Sequence, residues 1–230
     1  MPTDAVQYTL EDTVAVLRID DGKVNALSHG VVDGLCEGLD RAQKDEAKAL
    51  VLLGRPGRFS AGFDLSVMQE DGQEAMIALV TKGAELGLRI FASPIPTLIG
   101  VTGHAIAMGA VLTCCADERI GAEGEFKIGF NEIGIGMALP HFLRRLAEER
   151  LSKRHLQRAT LLAEMYAPAD AVDAGFLDRV VPADQVADVT IARARQLGEM
   201  LNPTAFRVSK AALRRRCLDE LREELARGAA

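Results

Sequence analysis

The sequence predicts an α/β fold in a single body, with a strand-rich core over residues 1–182 and a helical region over 183–230. Three observations carry this expectation. A short apolar run enters a glycine-containing turn and then a helical stretch twice, once from Ala49 and once from Thr97. The opening residues alternate apolar and polar as a hairpin does. The segment after Pro182 reads as helix throughout, and no low-complexity linker sets it apart from what precedes it.

Taken in order, Val6, Tyr8 and Leu10 and then Val14, Val16 and Ile19 flank a Glu11-Asp12 turn and predict two paired strands. Ser28 is placed to cap a helix whose apolar positions Val31, Val32, Leu35 and Leu39 follow helical spacing to about Gln43. Ala49–Leu53 is a buried-strand run feeding the Gly-rich loop 54–62. A long helix is expected over 73–91, a strand at Thr97–Val101 and a helix over 107–116. Short strands are expected at 118–120 and 126–128, and Asn131 is placed to cap a brief helix carrying Glu132. Pro140 opens the next helix, and further helices follow over 152–163 and from Ala169 to a Gly175 stop. After a strand over 178–182 come a helix over 184–201 and a last one opened by Asn202-Pro203.

At 230 residues, with 48% hydrophobic and 26% charged, the chain has the composition of a globular protein with a full core. Lysine and arginine number 27 against 33 acids, a net charge of −6. That balance gives no overall attraction for nucleic acid or an anionic membrane, although Arg214-Arg215-Arg216 is a small basic patch. Four cysteines, at 36, 114, 115 and 217, form no C-x-x-C pair and suggest neither a disulfide framework nor a zinc site. A reducing, cytoplasmic setting is expected, and the start Met1-Pro2-Thr3-Asp4 lacks the features of an export signal. The uncharged stretch between Arg89 and Asp117 is long enough to span a bilayer, yet Pro94, Pro96, Gly100, Gly103 and Gly109 divide it into buried pieces, so no membrane span is expected.

Several chemistries lose ground at the motif level. Gly134-Ile135-Gly136 begins a dinucleotide fingerprint, but Leu139 stands at its third glycine position. No phosphate-loop motif is present, and His29, His104, His141 and His155 lack metal-ligand spacing, so no metal is expected. Ser60 lies at a strand-to-helix turn, but Arg58 occupies the first glycine position of a nucleophile elbow. The two strand-turn-helix units offer backbone chemistry instead. The first N–H groups of a helix have no internal partner and favour negative charge, so two such turns can aim one N–H each at a single carbonyl oxygen. Read alone, the same glycines do no more than permit tight turns.

Phe59-Ser60-Ala61-Gly62-Phe63-Asp64-Leu65 resembles the F-[SC]-A-G-x-D-L turn of the crotonase superfamily, the enoyl-CoA hydratases and isomerases. Asn25-Ala26-Leu27-Ser28 resembles its N-A-L-S element, and 103–110, Gly-His-Ala-Ile-Ala-Met-Gly-Ala, stands where the family has G-x-A-x-G-G-G. Residues 169–182 are similar to its A-x-x-A-x-x-x-G-L-V-x-x-V-V-P segment. The resemblance spans nearly the whole chain. It implies a crotonase-like spiral of repeated ββα units, C-terminal helices that mediate trimerisation, and a homotrimer or hexamer. It also implies an acyl-CoA thioester substrate with no separate cofactor, since coenzyme A is part of the substrate. The thioester oxygen would be held by the N–H groups of Phe63 and Met108. Met108 and Ala107 replace glycines common in the family, a change that alters the acyl pocket while keeping the backbone donor.

Family hydratases carry two glutamates. The first aligns here with Val111, which cannot transfer a proton, and the second with Glu132. One carboxylate is enough to move a proton from the α to the γ carbon of a 3-enoyl-CoA, so double-bond isomerisation is the leading expectation. Hydration of a 2-enoyl-CoA, thioester hydrolysis, and a non-catalytic CoA- or RNA-binding role are the alternatives. By position, Lys23, Ala26, Ala61, Gly62, Asp64, Leu65, Gly109, Val111 and His141 are assigned to substrate binding, Asp64 also as a cap or buttress of its turn. Lys23 suits the adenosine phosphate as a point charge. Arg207, Lys210 and Arg214 recur at helical spacing and form either a CoA-reaching face or a solvated basic one. His104 is read as a packed turn residue, and Cys114 and Cys115 as core.

Overall fold

The computed structural model describes residues 5–227, apart from the side chains at positions 68 and 69. The residues read for an export signal, 1–4, lie outside that range. Strands β1 (Val6–Glu11) and β2 (Val14–Ile19) form the expected antiparallel hairpin, with Asp12 at a φ of +56° in its turn. After the short β3 (Ala26–Leu27), helix α1 (His29–Lys44) starts where Ser28 accepts a hydrogen bond from the Val31 N–H. Strand β4 (Ala49–Leu53) follows, then the Gly-rich segment, which contains β5 (Gly57–Ser60) and β6 (Gly62–Phe63) rather than being loop throughout. Helix α2 (Ser66–Phe91) begins earlier than its apolar periodicity predicts and breaks at Gly72, whose φ is +88°.

The second unit repeats the plan as β7 (Thr97–Val101), β8 (Gly103–Ile106) and α3 (Met108–Cys115), followed by β9 (Glu118–Ala122) and β10 (Ile128–Gly129). A 3-10 turn at Ile133–Ile135 leads to α4 (His141–Arg150), α5 (Leu156–Thr160), α6 (Pro168–Ala174) and β11 (Arg179–Val181). Helices α7 (Val186–Met200) and α8 (Pro203–Ala226) complete the described chain. The main sheet runs β1-β2-β4-β7-β9-β11, parallel except for the hairpin. Two small parallel sheets, β10-β8-β5 and β3-β6, stand beside it. Turning ββα units of this kind are what the resemblance noted in the sequence implies. No helix among the described residues is long and apolar enough to cross a membrane.

Both faces of the main sheet are covered, which is why β4 and β7 are apolar without interruption. Alternation divides their side chains. Val14, Val16, Val51 and Leu98 pack with Ile191 and Ala194 of α7, whereas Leu17, Leu50, Leu52 and Ile99 join the larger cluster with α1 and α2. Helix α7 therefore closes one face of the sheet laid down by residues N-terminal to 182.

Two local expectations are corrected. The helix expected over 152–163 is only the short α5, because Tyr166 pairs with Ile128 in both directions at 2.9 Å and Ala163 turns the chain toward that bridge with a φ of +49°. Tertiary strand pairing overrides helical periodicity there. Asn131 does not cap the turn after it; the 3-10 turn has Glu132 at its cap position and no side-chain cap bond.

Candidate active site

Asn25 fixes the first turn from beneath. It is fully buried, with a φ of +55°. Its amide donates to the carbonyls of Ile19, Arg58 and Phe59 at 2.9, 3.1 and 3.1 Å, and its own carbonyl accepts the Ser60 hydroxyl at 2.8 Å. The Asp21 carboxylate gathers the N–H groups of Lys23, Asn25 and Ala26; burial works to raise its pKa, and these donors outweigh burial and leave it lowered. The loop is thus held by side chains that spend their polar groups on backbone, and β3 is presented in register for β6, Ala26 against Gly62 and Leu27 against Phe63.

That register orients the first donor. The Asp64 N–H bonds the Leu27 carbonyl at 3.2 Å, and in a parallel ladder alternate N–H groups face opposite sides, so the Phe63 N–H points away from β3. Asp64 itself receives the N–H and hydroxyl of Ser66 at 3.0 and 2.7 Å, which makes it the buttress that starts α2.

The second turn meets the first at Gly62. A Cβ there would stand 2.8 Å from the Ala107 Cβ and 3.2 Å from the Met108 nitrogen, and the φ of +92° independently favours glycine. A Cβ on Gly109 would lie 2.5 Å from the Ser60 carbonyl oxygen. The two turns are therefore in backbone contact. Ala107 gives its N–H to Gly129 at 3.0 Å, and Met108 is the first residue of α3, where an N–H has no intrahelical acceptor. Ala107 holds this geometry at a φ of +52° and ψ of −124°.

Both turns open on one pocket, walled mainly by apolar side chains. Of the residues assigned from sequence, Phe63, Met108, Glu132, Ala61, Leu65 and Val111 line it. Gly62 and Gly109 lie behind that lining as the contacts between turns. Lys23 is exposed on the β2–β3 loop, Ala26 is half-buried in β3, and Asp64 serves its turn; none of the three lines the pocket. His141 also stays outside the lining, although its neighbours Pro140 and Phe142 belong to it. The sequence reading missed Met76, Val80, Asn131, Ile135, Met137 and Leu143, which complete the walls. A helical apolar period marks such residues as buried and says nothing of which buried side chains border a void.

Glu132 is 7% exposed, and its Oε2 is shut from solvent without a partner. Burial raises its pKa, opposed by N–H groups of its own and of Asn131. It is the one titratable side chain among the residues lining the pocket. His104 is elsewhere: its Nδ1 accepts the Lys127 N–H at 3.0 Å and its ring meets the edge of Phe126, a packed turn residue as read from sequence. Cys114 and Cys115 are buried, their thiols pushed up by burial.

The basic face of α8 is corrected. Lys210 and Arg214 are 7% and 5% exposed and grip Asp117 at 2.7 and 2.8 Å, so they form neither a CoA-reaching face nor a solvated one. Arg207 remains exposed. Helical spacing placed Lys210 and Arg214 on one face correctly; that face is the buried one, and Arg207 stands clear of it.

The turns that carry the Phe63 and Met108 backbone N–H groups, the buried carboxyl of Glu132 and the side chain of Asn131 thus border one pocket whose other lining residues are apolar. The profile of the enoyl-CoA hydratase/isomerase family matches residues 9–229. Human mitochondrial enoyl-CoA delta isomerase 1 is 31% identical over 186 residues, 80% of this chain and 62% of that protein. The chain thus spans about three fifths of the length of the curated relatives it matches first. A solved enoyl-CoA hydratase/isomerase family protein from Pseudomonas syringae superposes with a TM-score of 0.93 at 41% identity, covering 97% of this chain and 96% of that one. Human mitochondrial delta3-delta2-enoyl-CoA isomerase superposes at 0.92 with 27% identity, covering 98% and 89%. The chain belongs to the enoyl-CoA hydratase/isomerase family.

Proposed function

We propose that this chain shifts the double bond of a 3-enoyl-CoA thioester to the 2-position, with Glu132 as its single proton carrier. The observation that carries the reading is the solitary carboxyl: Glu132 alone among the lining residues titrates, and Val111 stands where the hydratases of the family carry a second glutamate. The thioester oxygen lies between the Phe63 and Met108 N–H groups. Glu132 takes the proton from C2, the C–H electron pair moves into the thioester as an enolate, and the same proton returns at C4 as the double bond moves from C3–C4 to C2–C3. Burial supports this use by bringing the carboxyl nearer to the range in which it can both take and return a proton.

Met76, Met108 and Met137 give the acyl side of the pocket adaptable apolar walls. Coenzyme A enters as part of the substrate, with Lys23 on the exposed loop as a point charge for its phosphates. A homotrimer or a pair of trimers is part of this reading, supported by Leu161 and Leu162, which are 57% and 72% exposed. A reducing, cytoplasmic compartment is supported by four unpaired cysteines.

The test is incubation with 3-enoyl-CoA and 2-enoyl-CoA in deuterated water, with products and label followed by mass spectrometry. Isomerisation gives bond migration at constant composition apart from label; hydration adds one water, and hydrolysis frees a thiol. Glu132→Gln is expected to keep CoA-ligand binding and lose ~10²–10⁴-fold in rate. Turnover of Glu132→Gln at the wild-type rate, or a hydrated or hydrolysed product in place of the isomer, overturns the assignment.

A further inference from the structure

Beside Glu132 the pocket holds a second polar side chain whose role neither the fold nor the reaction described above explains. Asn131 Oδ1 and Glu132 Oε2 are both shut from solvent, and neither has a partner. Both residues line the same pocket. Asn131 is not occupied as a cap: its backbone carbonyl accepts the Ile135 N–H at 3.1 Å, and the turn carries no side-chain cap bond. The Glu132 carbonyl takes the N–H groups of Ile135 and Met137 at 3.1 and 2.9 Å. Backbone alone therefore fixes this turn and leaves two consecutive side chains to the pocket.

Two acceptors cannot satisfy one another, and an unpaired buried acceptor is unfavourable. With Glu132 ionised, both oxygens lack a donor. One proton on the carboxyl changes this, because the new O–H is a donor and an acceptor waits on the adjoining residue. We propose that Asn131 is a positioning residue for the proton in transit: its side-chain carbonyl accepts the O–H of protonated Glu132 and serves that form alone. The inference rests on the isomerase reading for its purpose. After the C2–H bond breaks and its electron pair enters the enolate, the proton resides on Glu132 until C4 receives it. An acceptor on the adjoining residue holds the O–H over the substrate during that interval.

The surroundings isolate the effect. Walls from α2 (Met76, Val80), α3 (Met108, Val111) and α4 (Phe142, Leu143) contribute no titratable group, and among the described residues no charged side chain acts on Glu132. A change at position 131 therefore reads out on the carboxyl directly.

The experiment titrates the Glu132 carboxyl by ¹³C NMR of glutamate-labelled protein, its signal identified by disappearance in Glu132→Gln. Asn131→Ala is expected to lower the proton affinity of Glu132 about three- to tenfold, the effect of losing one neutral hydrogen bond to the protonated form. Asn131→Asp, nearly isosteric and hence compatible with the fold, is expected to raise it by adding a negative charge beside the carboxyl. In isomerisation of 3-enoyl-CoA, Asn131→Ala is expected to lose kcat by about the same factor at unchanged KM. An unchanged or raised Glu132 midpoint in Asn131→Ala overturns the proposal, since loss of a merely polar neighbour leaves a more apolar site and pushes a carboxyl up. A lowered midpoint in Asn131→Asp also overturns it. The two readings fail separately: a shifted midpoint with no isomerisation rejects the proposed reaction and keeps the pairing, whereas isomerisation with an unshifted midpoint rejects the pairing and keeps the reaction.

Discussion

The guanidinium of Arg214 lies 4.2 Å over the ring of Phe91 and donates to that residue's carbonyl at 2.6 Å. Phe91 ends α2, so this contact ties the last helix to an element that walls the pocket. Arg214 also bonds the carboxylate of Asp117 at 2.8 Å and reaches the carbonyls of Cys115 and Ala116, both at 3.4 Å. These groups have little access to water; removal of the guanidinium takes this donor from the three carbonyls and from Asp117 Oδ1, while Asp117 Oδ2 keeps Lys210 and the Thr97 N–H. Arg214→Leu is expected to cost about 3–5 kcal/mol of stability, the range for breaking a buried charge pair from one side. Urea denaturation read against wild type checks it; a loss below 1 kcal/mol ~ the size of a surface pair ~ would contradict the buried role.

Lys210 shares Asp117 but behaves differently. Burial, with Arg214 and Arg150 adding to it against the pull of Asp117, lowers its pKa from 10.5 to about 8. Between those values the unfolded chain binds the proton that the folded chain has released, so this group makes stability rise with pH across that window. Lys210→Met is expected to flatten the rise while costing little at neutral pH, because Asp117 keeps Arg214 and the Thr97 N–H at 2.8 Å. Denaturation midpoints measured from pH 7 to 10 in both proteins decide it, and parallel curves count against the assignment.

The two turns that open on the pocket were legible because their geometry demands particular residues. Gly62 and Gly109 admit no Cβ, and Glu132 follows at a fixed interval in a short turn. Asn25 was read only as part of a motif, yet its buried amide joins three stretches of chain; an asparagine ahead of a strand does not reveal which carbonyls will surround it. The rest of the pocket wall was illegible for another reason. Met76 and Val80 of α2 and Leu143 of α4 reach Met108 and Val111, which the sequence did mark, only after three helices pack. Lys210 and Arg214 show the limit from the opposite side: spacing gives a shared face, and only Asp117, distant in sequence, decides whether that face is wet.

The contact between turns gives a paired prediction. Gly62→Ala must place a methyl 2.8 Å from the Ala107 Cβ at a φ of +92°, and relief requires moving the peptide that carries the Phe63 N–H. A rate loss of ~10²–10³, the range for losing one oxyanion donor, is expected together with reduced stability. Ala107→Gly removes the opposing methyl and the strain of a φ of +52°, and is expected to stabilise by ~1 kcal/mol. In the double variant the second change should restore part of what the first removes, measured as a coupling in a double-mutant cycle on kcat/KM. Additive losses would show that the two side-chain positions do not touch.

Glu132 should also betray its function through stability. Its pKa is raised in the folded protein, chiefly by burial, so between the ordinary carboxylate value of 4.5 and its folded value the native state binds more protons than the unfolded one. Stability from this group is therefore present at low pH and is lost as pH rises through the folded pKa. Glutamine keeps the shape, carries no charge, and brings an amide donor to a site whose neighbouring Asn131 Oδ1 lacks one. Glu132→Gln is thus expected to be more stable than wild type by ~1–3 kcal/mol at neutral pH, the scale of an unsatisfied buried polar group, with the gain shrinking to nothing near pH 4. The measurement is urea denaturation of both proteins at several pH values between 4 and 7. A variant less stable than wild type at pH 7, or a gain that stays constant with pH, would mean that the carboxyl is at ease in the resting protein and is not held there for chemistry.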